Sequence, residues 1–464
     1  MVDLVVCNAH IVSENGEFFG GIAVKEGKVV ALGSNESITT LSSANIVDGL
    51  GLHLLPGGVD PHVHIRYPGS AHRETFVTGT RAAAAGGVTT IVEHPISTPP
   101  QFNPEILQAR FDAVSSGSSV DVAFLGAASG AYPDRVASLA AHGVVGYKTF
   151  LHAAPEGRDR EFEGLTSKDN FELQQVIRAV AATRLKVAAH GEDNDLVAGN
   201  IANLRRQGMT KPIAHALSRP PIVEVMAVDR LIRLAELEGA SLYLVHISTP
   251  HAVEAALAAR NRGLDVTIET CPQYLYLSEQ DLEKHGPFAK CNPALRERSL
   301  VEKMWDYVVD GSIDTIGSDH APFTVSEKLQ NREDIFVAPS GFPGLETRFG
   351  LMLKAVIDGR ISLRRLVDLI STNPAKAYGL YPTKGAIKVG ADADFVLVDL
   401  RRERTVETTG METMARDTAK VYEGWKLPGF IHSVWLRGMK IVENGTVVSN
   451  GTEGRPIKFG GQAV

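Results

Sequence analysis

Two histidines separated by a single residue form the first candidate metal site of the chain. His62 and His64 follow the short apolar run of residues 54–59. In an extended backbone, side chains two residues apart point to the same side of the strand. Two imidazoles that converge at a strand end can bind one metal ion. A structural histidine pair explains this spacing equally well, so other residues must decide between the two interpretations.

Further residues with metal-binding or acid–base side chains lie within or directly after other apolar runs. They are Lys148, His190, His246 and Asp319. Each has a structural explanation by itself, since a histidine at a strand end is often only hydrogen-bonded and an aspartate can cap a helix. Lys148 is harder to explain in this way, because an unpaired ammonium group is costly to bury. It needs either a partner or a covalent change.

Apolar runs alternate with helical patterns through the middle of the chain. Continuous apolar runs are typical of parallel strands that are buried on both faces. The predicted strands cover residues 51–63, 87–93, 120–126, 144–150, 185–190, 241–246, 265–270 and 313–317, and the clearest helical patterns cover residues 74–85, 171–182, 223–238 and 252–260. Strands and helices in alternation indicate a parallel sheet with right-handed crossovers. We therefore predict an α/β fold, a (β/α)8 barrel of the TIM type. A doubly wound open sheet is the alternative, but no glycine-rich dinucleotide-binding motif follows any strand.

The barrel would bring all the candidate residues to one face. In chain order, the first, fourth, fifth, sixth and eighth strands end in His62 and His64, Lys148, His190, His246, and Asp319. The carboxyl ends of barrel strands gather at one end, where active sites form. Coincidence is a poor explanation for such residues at so many strand ends. The pattern predicts a metal site.

The two chain ends differ from this central part. Both carry short β-branched segments separated by Gly, Asn, Asp and Ser, which is typical of antiparallel strands. We predict one small β-sandwich assembled from both ends. The expected domains are residues 1–54 (first part of the sandwich), 55–378 (barrel) and 379–464 (second part of the sandwich and a tail).

Composition narrows the class of partner. The net charge is −7 and the chain has no run of Lys and Arg, which argues against nucleic acid or an anionic membrane as partner. Three cysteines are too few for a disulfide framework and fit a reducing compartment. No apolar stretch approaches the ~20 residues that a membrane span needs, and the first residues do not resemble a signal peptide. We expect a cytoplasmic protein.

The arrangement resembles the amidohydrolase superfamily and, within it, the cyclic-amide branch of hydantoinases, allantoinases, dihydropyrimidinases and dihydroorotases. The resemblance extends from residues 44–48 to residues 384–394. It implies a binuclear metal-dependent hydrolase in which a metal-bridged hydroxide attacks the carbonyl carbon of a cyclic amide. It also implies a homotetramer or homodimer.

The resemblance assigns roles to the candidate residues. His62, His64 and Asp319 would hold one divalent metal ion, and His190 and His246 would hold the other. Lys148 would be N6-carboxylated, and its carbamate would bridge the two ions. Donors of nitrogen and oxygen only suit Zn2+ without excluding Mn2+. Asp319 would also be the catalytic residue that carries the proton from the hydroxide to the leaving nitrogen.

The segments expected to determine which cyclic amide is the substrate resemble different members of this branch. Residues 60–69 resemble dihydroorotases, in which an arginine at the position of Arg66 pairs with the substrate carboxylate. Ile96 and Phe323 stand where dihydroorotases carry an asparagine and a histidine. Apolar residues there would leave such a carboxylate short of partners.

Other segments favour different members of the branch. Residues 93–100 resemble hydantoinases, and residues 286–291 resemble allantoinases, whereas Ala153 stands where dihydropyrimidinases carry a tyrosine. We therefore predict a hydantoinase or allantoinase type of enzyme. A dihydroorotase is the alternative. A non-catalytic scaffold protein related to dihydropyrimidinase is a further alternative, which the complete ligand set opposes.

Candidate substrate contacts come from loops. Arg66 is either a substrate anchor or a loop residue that pairs with Glu74. Asn292, Gly341 and Gly344 follow the last two strands and are candidate contacts, although such residues are also common in turns. The polar residues 152–166 are expected to form a mobile loop over the site.

Overall fold

The computed structural model describes residues 1–13, 16–43, 45–152, 154–155, 157–460 and 462–463. In this part of the chain the strands are β1 Leu4–Ser13, β2 Gly16–Lys25, β3 Lys28–Gly33, β4 Ile46–Asp48, β5 His53–Pro56, β6 Gly58–Val63, β7 Val88–Glu93, β8 Asp121–Ala127, β9 Gly146–Phe150, β10 Lys186–His190, β11 Ser241–Leu244, β12 Val266–Thr270, β13 Thr315–Ile316, β14 Phe395–Thr405, β15 Lys426–Leu436, β16 Met439–Glu443, β17 Thr446–Val447, β18 Ile457–Lys458 and β19 Gln462–Ala463.

The helices lie mainly between the barrel strands. They are α1 Asn35–Thr39, α2 Phe76–Ala85, α3 Pro104–Ser116, α4 Asp134–His142, α5 Asn170–Ala181, α6 Asn194–Arg206, α7 Ile213–Ser218, α8 Pro221–Glu238, α9 Pro250–Asn261, α10 Gln273–Tyr276, α11 Glu279–His285, α12 Arg298–Val309, α13 Val325–Lys328, α14 Leu345–Ile357, α15 Leu363–Val367 and α16 Asn373–Ala377. Short 3-10 helices cover Asp159–Glu161, Gly286–Ala289, Thr408–Gly410, Arg416–Thr418 and Lys420–Tyr422, and one π-helical turn covers Asp368–Thr372. The helical patterns predicted at 74–85, 171–182, 223–238 and 252–260 correspond to α2, α5, α8 and α9.

Strands β6 to β13 form one parallel sheet in chain order, with each strand beside the next. The first and last members meet through a parallel bridge between Val63 and His320, where His64 N–H donates to His320 O at 2.8 Å. The sheet is therefore a nearly closed barrel, and the predicted (β/α)8 architecture is confirmed. Side chains of β6, β7 and β8 are buried throughout, as expected for strands between a barrel interior and a layer of helices.

The prediction of one strand over residues 51–63 is wrong. Two strands occupy this range, and they belong to different sheets: β5 pairs with β1 and β14, whereas β6 pairs with β7. The change of sheet occurs at Gly57, where a Cβ atom would lie 2.2 Å from Oγ1 of Thr89. An apolar run alone cannot show this change, because both strands are buried.

The two chain ends share a second, mostly antiparallel sheet, in the order β17-β16-β15-β14-β5-β1-β2-β3, with β4 beside β1. Its two halves pack on one hydrophobic cluster that includes Val6 and Val24 from one half and Phe395 and Trp435 from the other. The predicted β-sandwich from both chain ends is confirmed. The tail after it packs on the barrel, where Val122 N–H donates to Arg455 O at 3.0 Å.

A buried ionic cluster joins the barrel to the sandwich. Lys384 contacts Asp121, which begins β8, and lies 2.8 Å from carboxylate oxygens of both Asp392 and Asp394. Arg437 also pairs with Asp121, at 2.5 Å. Burial disfavours the Lys384 charge, but the three carboxylates outweigh burial and raise the pKa of this ammonium.

Among the described residues, no helix is both long enough and apolar enough to cross a lipid bilayer.

Candidate active site

The end of β6 brings two histidines to one carboxylate. Nε2 of His62 lies 3.3 Å from Oδ1 of Asp319, and Nε2 of His64 lies 3.6 Å from the same oxygen. Asp319 follows β13 and has a left-handed backbone, with φ of 48°. Non-glycine residues rarely adopt this conformation, which is concentrated at functional sites. All three side chains are buried.

A second pair of histidines comes from β10 and β11. Nδ1 of His190 lies 2.8 Å from Nε2 of His246. Two nitrogens that bind one tetrahedral zinc ion at its usual bond length are about 3.3 Å apart. The distance between the His190 and His246 nitrogens is therefore close to that of two ligands of one cation. Nε2 of His190 lies 3.0 Å from Oε2 of Glu192, which fixes the imidazole ring. Burial is the main cause that lowers the pKa of all four imidazoles. Burial therefore favours the neutral form of these side chains, which is the form that binds a metal ion.

Lys148 lies in β9 with its side chain fully buried. Its Nζ atom has no hydrogen-bond partner among the described residues. The Lys148 charge is close enough to both histidine pairs to lower the pKa of His62 and of His246. Burial in turn lowers the pKa of Lys148 to about 8. The environment therefore disfavours an ammonium group at this position.

The candidate ligands border a cavity of about 630 Å³. The apolar part of its wall includes Ile96, Phe150, Phe162 and Phe323. Residues of the predicted loop 152–166 also line the cavity, among them Arg158 and Phe162. Ala153 lies outside the described residues, so the expected difference from dihydropyrimidinases is known from the sequence alone.

Arg66 enters the cavity beside the metal-ligand candidates. It is buried and has a left-handed backbone, with φ of 63°. Its Nη1 atom lies 3.5 Å from Oε2 of Glu161, and its guanidinium stacks 4.6 Å from the ring centre of Phe323. The alternative in which Arg66 pairs with Glu74 is wrong, because Glu74 accepts hydrogen bonds from Thr78 and from residues 413–414 instead.

The other predicted substrate contacts occupy different positions. Asn292 and Gly341 line the cavity, and Oδ1 of Asn292 is buried without a hydrogen-bond partner in the described chain. Gly344 is not among the lining residues, and its N–H donates to Nδ1 of His320 at 3.3 Å. A Cβ atom at Gly344 would lie 2.7 Å from Ser318 O. This close packing gives Gly344 a structural reason to be glycine.

A model of the amidohydrolase family matches residues 53–441 of this chain. The chain belongs to this family. It is 35% identical to an allantoinase of Deinococcus radiodurans, over 96% of each protein. It is 32% identical to a D-hydantoinase of Ralstonia pickettii, over 98% of this chain and 99% of the relative. The structure of an L-hydantoinase (dihydropyrimidinase) from Arthrobacter aurescens superposes with a TM-score of 0.93 at 30% identity, covering 99% of this chain and 100% of the other. The predicted family and the predicted class of reaction, hydrolysis of a cyclic amide, are confirmed.

The structure brings the six predicted metal ligands of this amidohydrolase to one end of the barrel. The donors are nitrogen and oxygen only, and among them lies the buried Nζ atom of Lys148, which has no hydrogen-bond partner in the part of the chain that the structure describes. The residues present therefore fit a divalent metal centre, and metal dependence is supported.

Glu269 is a site residue that the sequence analysis missed. It is the second-last residue of β12. Its Oε1 atom lies 2.8 Å from Nδ1 of His62 and accepts the N–H of His246 at 2.9 Å. The hydroxyl of Tyr243 donates to Oε2 at 2.8 Å. Burial raises the pKa of Glu269 to about 7. A charged residue inside an otherwise uncharged buried strand was the available signal.

His94 is a second neighbour of the site outside the predicted set. Its ring stacks on His62 with centroids 3.9 Å apart and planes inclined by 11°. Nε2 of His94 donates to Pro61 O at 3.0 Å in the tautomer that satisfies this carbonyl. One ring nitrogen from each of His62, His64 and His94 lies within 4.8 Å of the others, so His94 is also near enough to contact a metal ion held by the other two. Its ring packs against His62 and holds the orientation of that ring.

Proposed function

We propose that this protein opens a hydantoin-like ring by hydrolysis of its amide C–N bond, as a hydantoinase or allantoinase. One observation carries the proposal: a buried Lys148, whose Nζ atom has no hydrogen-bond partner among the described residues, lines one cavity with the four candidate histidines and Asp319. In an ordinary core this lysine would be destabilising. In a binuclear hydrolase it is accounted for as an N6-carboxylated lysine that bridges two cations.

The ligand roles follow the two groups of side chains. His62, His64 and Asp319 would hold one divalent ion, and His190 and His246 the other, with carboxylated Lys148 between them. Zn2+ suits the donor set, and nitrogen and oxygen ligands also accept Mn2+. Divalent ions supply polarisation of the ring carbonyl and a lowered pKa for the attacking water.

The side chains of this protein then orient the ring and move the proton. In this proposal, Asp319 accepts the proton of the attacking water and returns it to the ring nitrogen as the C–N bond breaks. The apolar wall around Ile96 and Phe162 excludes water from the ring. Oδ1 of Asn292 and the backbone of Gly341 are the proposed contacts for the ring amide. Contact of the substrate with Gly344 stays a prediction, which its packed position does not support.

A dihydroorotase is a second candidate because of one observation, the buried guanidinium of Arg66 in the cavity wall. The remaining expectations stay predictions: domain boundaries at 54/55 and 378/379, a homotetramer or homodimer, and a cytoplasmic location. A scaffold role is opposed by the presence of every expected ligand.

A panel of cyclic amides offered to the metal-loaded protein tests the proposal. The panel would contain allantoin, 5-substituted hydantoins of both hands, dihydrouracil and dihydroorotate, with ring opening followed by liquid chromatography. We expect the highest kcat/KM for allantoin or a hydantoin. A higher kcat/KM for dihydroorotate would replace the proposed subclass by the second candidate. Absence of ring opening across the panel, with metal bound, would overturn the proposed function.

A further inference from the structure

One wall of the cavity is formed by a connection without regular secondary structure. Residues 329–344 join α13 to α14, and this described stretch contains no helix or strand. We define the wall segment as residues 335–341. Its members that line the cavity are Phe336, Val337, Ala338, Pro339, Ser340 and Gly341. Buried carbonyl groups outside a helix or sheet still need hydrogen-bond donors. The groups that supply these donors therefore hold the wall in place.

Lys290 supplies donors to three carbonyls of the wall segment. Its Nζ atom donates to Ile335 O at 2.8 Å and to Phe336 O at 3.3 Å. It also donates to Ala338 O. An ammonium group has three N–H donors, and these three carbonyls use all of them. Although Lys290 borders the cavity, its side chain is buried and faces the protein backbone. It is therefore suited to hold the wall segment and not to bind a ligand.

The backbone of Lys290 holds the end of the same segment. Lys290 O accepts the N–H of Gly341 at 2.8 Å. Gly341 has a positive φ of 120°, and a Cβ atom at this position would lie 2.5 Å from Cβ of Ala321. Only glycine fits such a conformation and such a close approach. Lys290 thus fixes both the middle of the wall segment and the glycine that is proposed to contact the ring amide.

Lys328 is a second buried lysine that holds the wall segment. Its Nζ atom donates to Pro339 O and to Pro287 O, each at 3.0 Å. The Nζ atom also lies 5.5 Å from the ring centre of Phe323. Lys328 is fully buried and is not among the residues that line the cavity. It therefore ties the wall segment to the 3-10 helix Gly286–Ala289, which directly precedes Lys290.

Two buried lysines need an explanation. Burial is the main cause that lowers the pKa of both side chains, to about 7 for Lys328. In an ordinary core each of them would be destabilising, whereas an apolar side chain of similar length would not. Hydrogen bonds from a charged donor are stronger than those from a neutral one. The bonds of Lys290 and Lys328 to backbone carbonyls therefore account for their presence in the interior.

We propose that Lys290 and Lys328 are positioning residues for substrate binding, which fix the wall segment at the distance from the metal-ligand candidates that the ring requires. This inference rests on the proposed function. Neither lysine is a metal-ligand candidate, so their loss leaves the chemical step in place. A loosened wall segment weakens the binding of substrate and transition state alike, which raises KM and leaves kcat nearly unchanged.

The test compares Lys290→Met and Lys328→Met with a matched control. Methionine keeps an unbranched side chain and removes every N–H donor. The control is Lys211→Met, which removes an exposed lysine that pairs with Glu333, two residues before the wall segment, at 2.6 Å. Each zinc-loaded full-length variant is assayed on the panel compound that the parent protein opens with the highest kcat/KM. We expect KM to rise at least about tenfold in both test variants, with kcat within about threefold of the parent value. The control should keep the parent KM.

Hydrogen exchange of backbone amides, followed by mass spectrometry, reports on the wall segment directly. We expect peptides that cover residues 329–344 to exchange at least about tenfold faster in both test variants, because fewer bonds oppose local opening. Peptides from barrel strands β6 to β12 should exchange as in the parent protein, which shows that the variants are folded. Zinc content, measured by atomic emission, should also match that of the parent.

The outcomes separate this inference from the proposed function. An unchanged KM in both test variants overturns it, even where residues 329–344 exchange faster. A fall of kcat at unchanged KM, or an equal rise of KM in Lys211→Met, also overturns it. Faster exchange throughout the barrel would assign the two lysines to the stability of the fold and overturn their positioning role. A parent protein that opens no ring contradicts the proposed function, and the exchange comparison then decides alone whether the lysines hold the wall segment.

Discussion

Nδ1 of His62 lies 2.8 Å from Oε1 of Glu269, and both side chains are fully buried. This contact fixes the tautomer of His62 so that Nε2 faces Asp319. A carboxylate behind a metal-binding histidine orients the ring and increases its basicity. Glu269, on barrel strand β12, therefore holds a metal-ligand candidate from strand β6 in its orientation.

Removing the charge of Glu269 should weaken metal binding. For Glu269→Gln we expect metal affinity to fall by about 10–100-fold, the usual effect of losing such an outer partner. Competition with a chromophoric chelator measures the affinity. Glu254→Gln, at a carboxylate that contacts the exposed hydroxyl of Tyr307, is the control. Unchanged affinity in Glu269→Gln would show that His62 does not need this carboxylate.

Lys148→Ala should lose both metal and activity. The variant lacks the bridging ligand. We therefore expect kcat to fall by more than about 100-fold, which is the upper effect of losing a residue that only hydrogen-bonds to a metal ligand. Added propionate, a small carboxylate that fits the vacated space, should restore part of the activity. The control is Lys186→Ala, at the start of the neighbouring strand β10, where the lysine pairs with Asp265. Near-normal turnover in Lys148→Ala would remove the lysine from the site.

Asp319→Asn should separate proton transfer from metal binding. The amide oxygen remains a possible ligand but cannot accept the proton of the attacking water. We expect kcat to fall by about 10²–10⁴-fold, the usual range for loss of a general base. Metal content is measured on the same sample by atomic emission. A normal kcat with metal retained would assign the proton to another group.

Lys384→Met should destabilise the contact between barrel and sandwich. The change leaves Asp121, Asp392 and Asp394 buried around an uncharged side chain. Loss of one partner from a buried ionic group costs about 3–5 kcal/mol of the free energy of unfolding. Urea unfolding measures it. Lys354→Met, which breaks an i,i+4 pair with Asp358 at the surface, should cost no more than about 1 kcal/mol. Similar losses in both variants would contradict a special role for the cluster.

The sequence predicted the architecture because buried parallel strands leave a continuous apolar signal. It also predicted which residues end the strands, since a barrel places all carboxyl ends on one face. The structure accordingly brings His62, Lys148 and Asp319 together although they are far apart in the chain. The boundary between β5 and β6 was missed, because two buried strands from different sheets give the same apolar run.

Contacts between loops were beyond sequence reasoning. Arg66 pairs with Glu161 rather than with Glu74, and no periodicity links a loop after β6 to a 3-10 turn after β9. Glu269 was missed for a different reason: a single carboxylate in a strand shows its role only when its partners are known. His94 was missed for the same reason, because its role depends on the stacking of its ring on His62, which the sequence does not show.

Titration of the metal-free protein with Zn2+ in the presence of bicarbonate, with ring opening of hydantoin and allantoin followed at each step, tests the central claim most directly. Bicarbonate supplies the CO2 for carboxylation of Lys148. The account predicts that ring opening rises with added metal and reaches its plateau at two equivalents per chain. A plateau at one equivalent would contradict the binuclear site, and two bound equivalents without ring opening of either compound would contradict the proposed reaction.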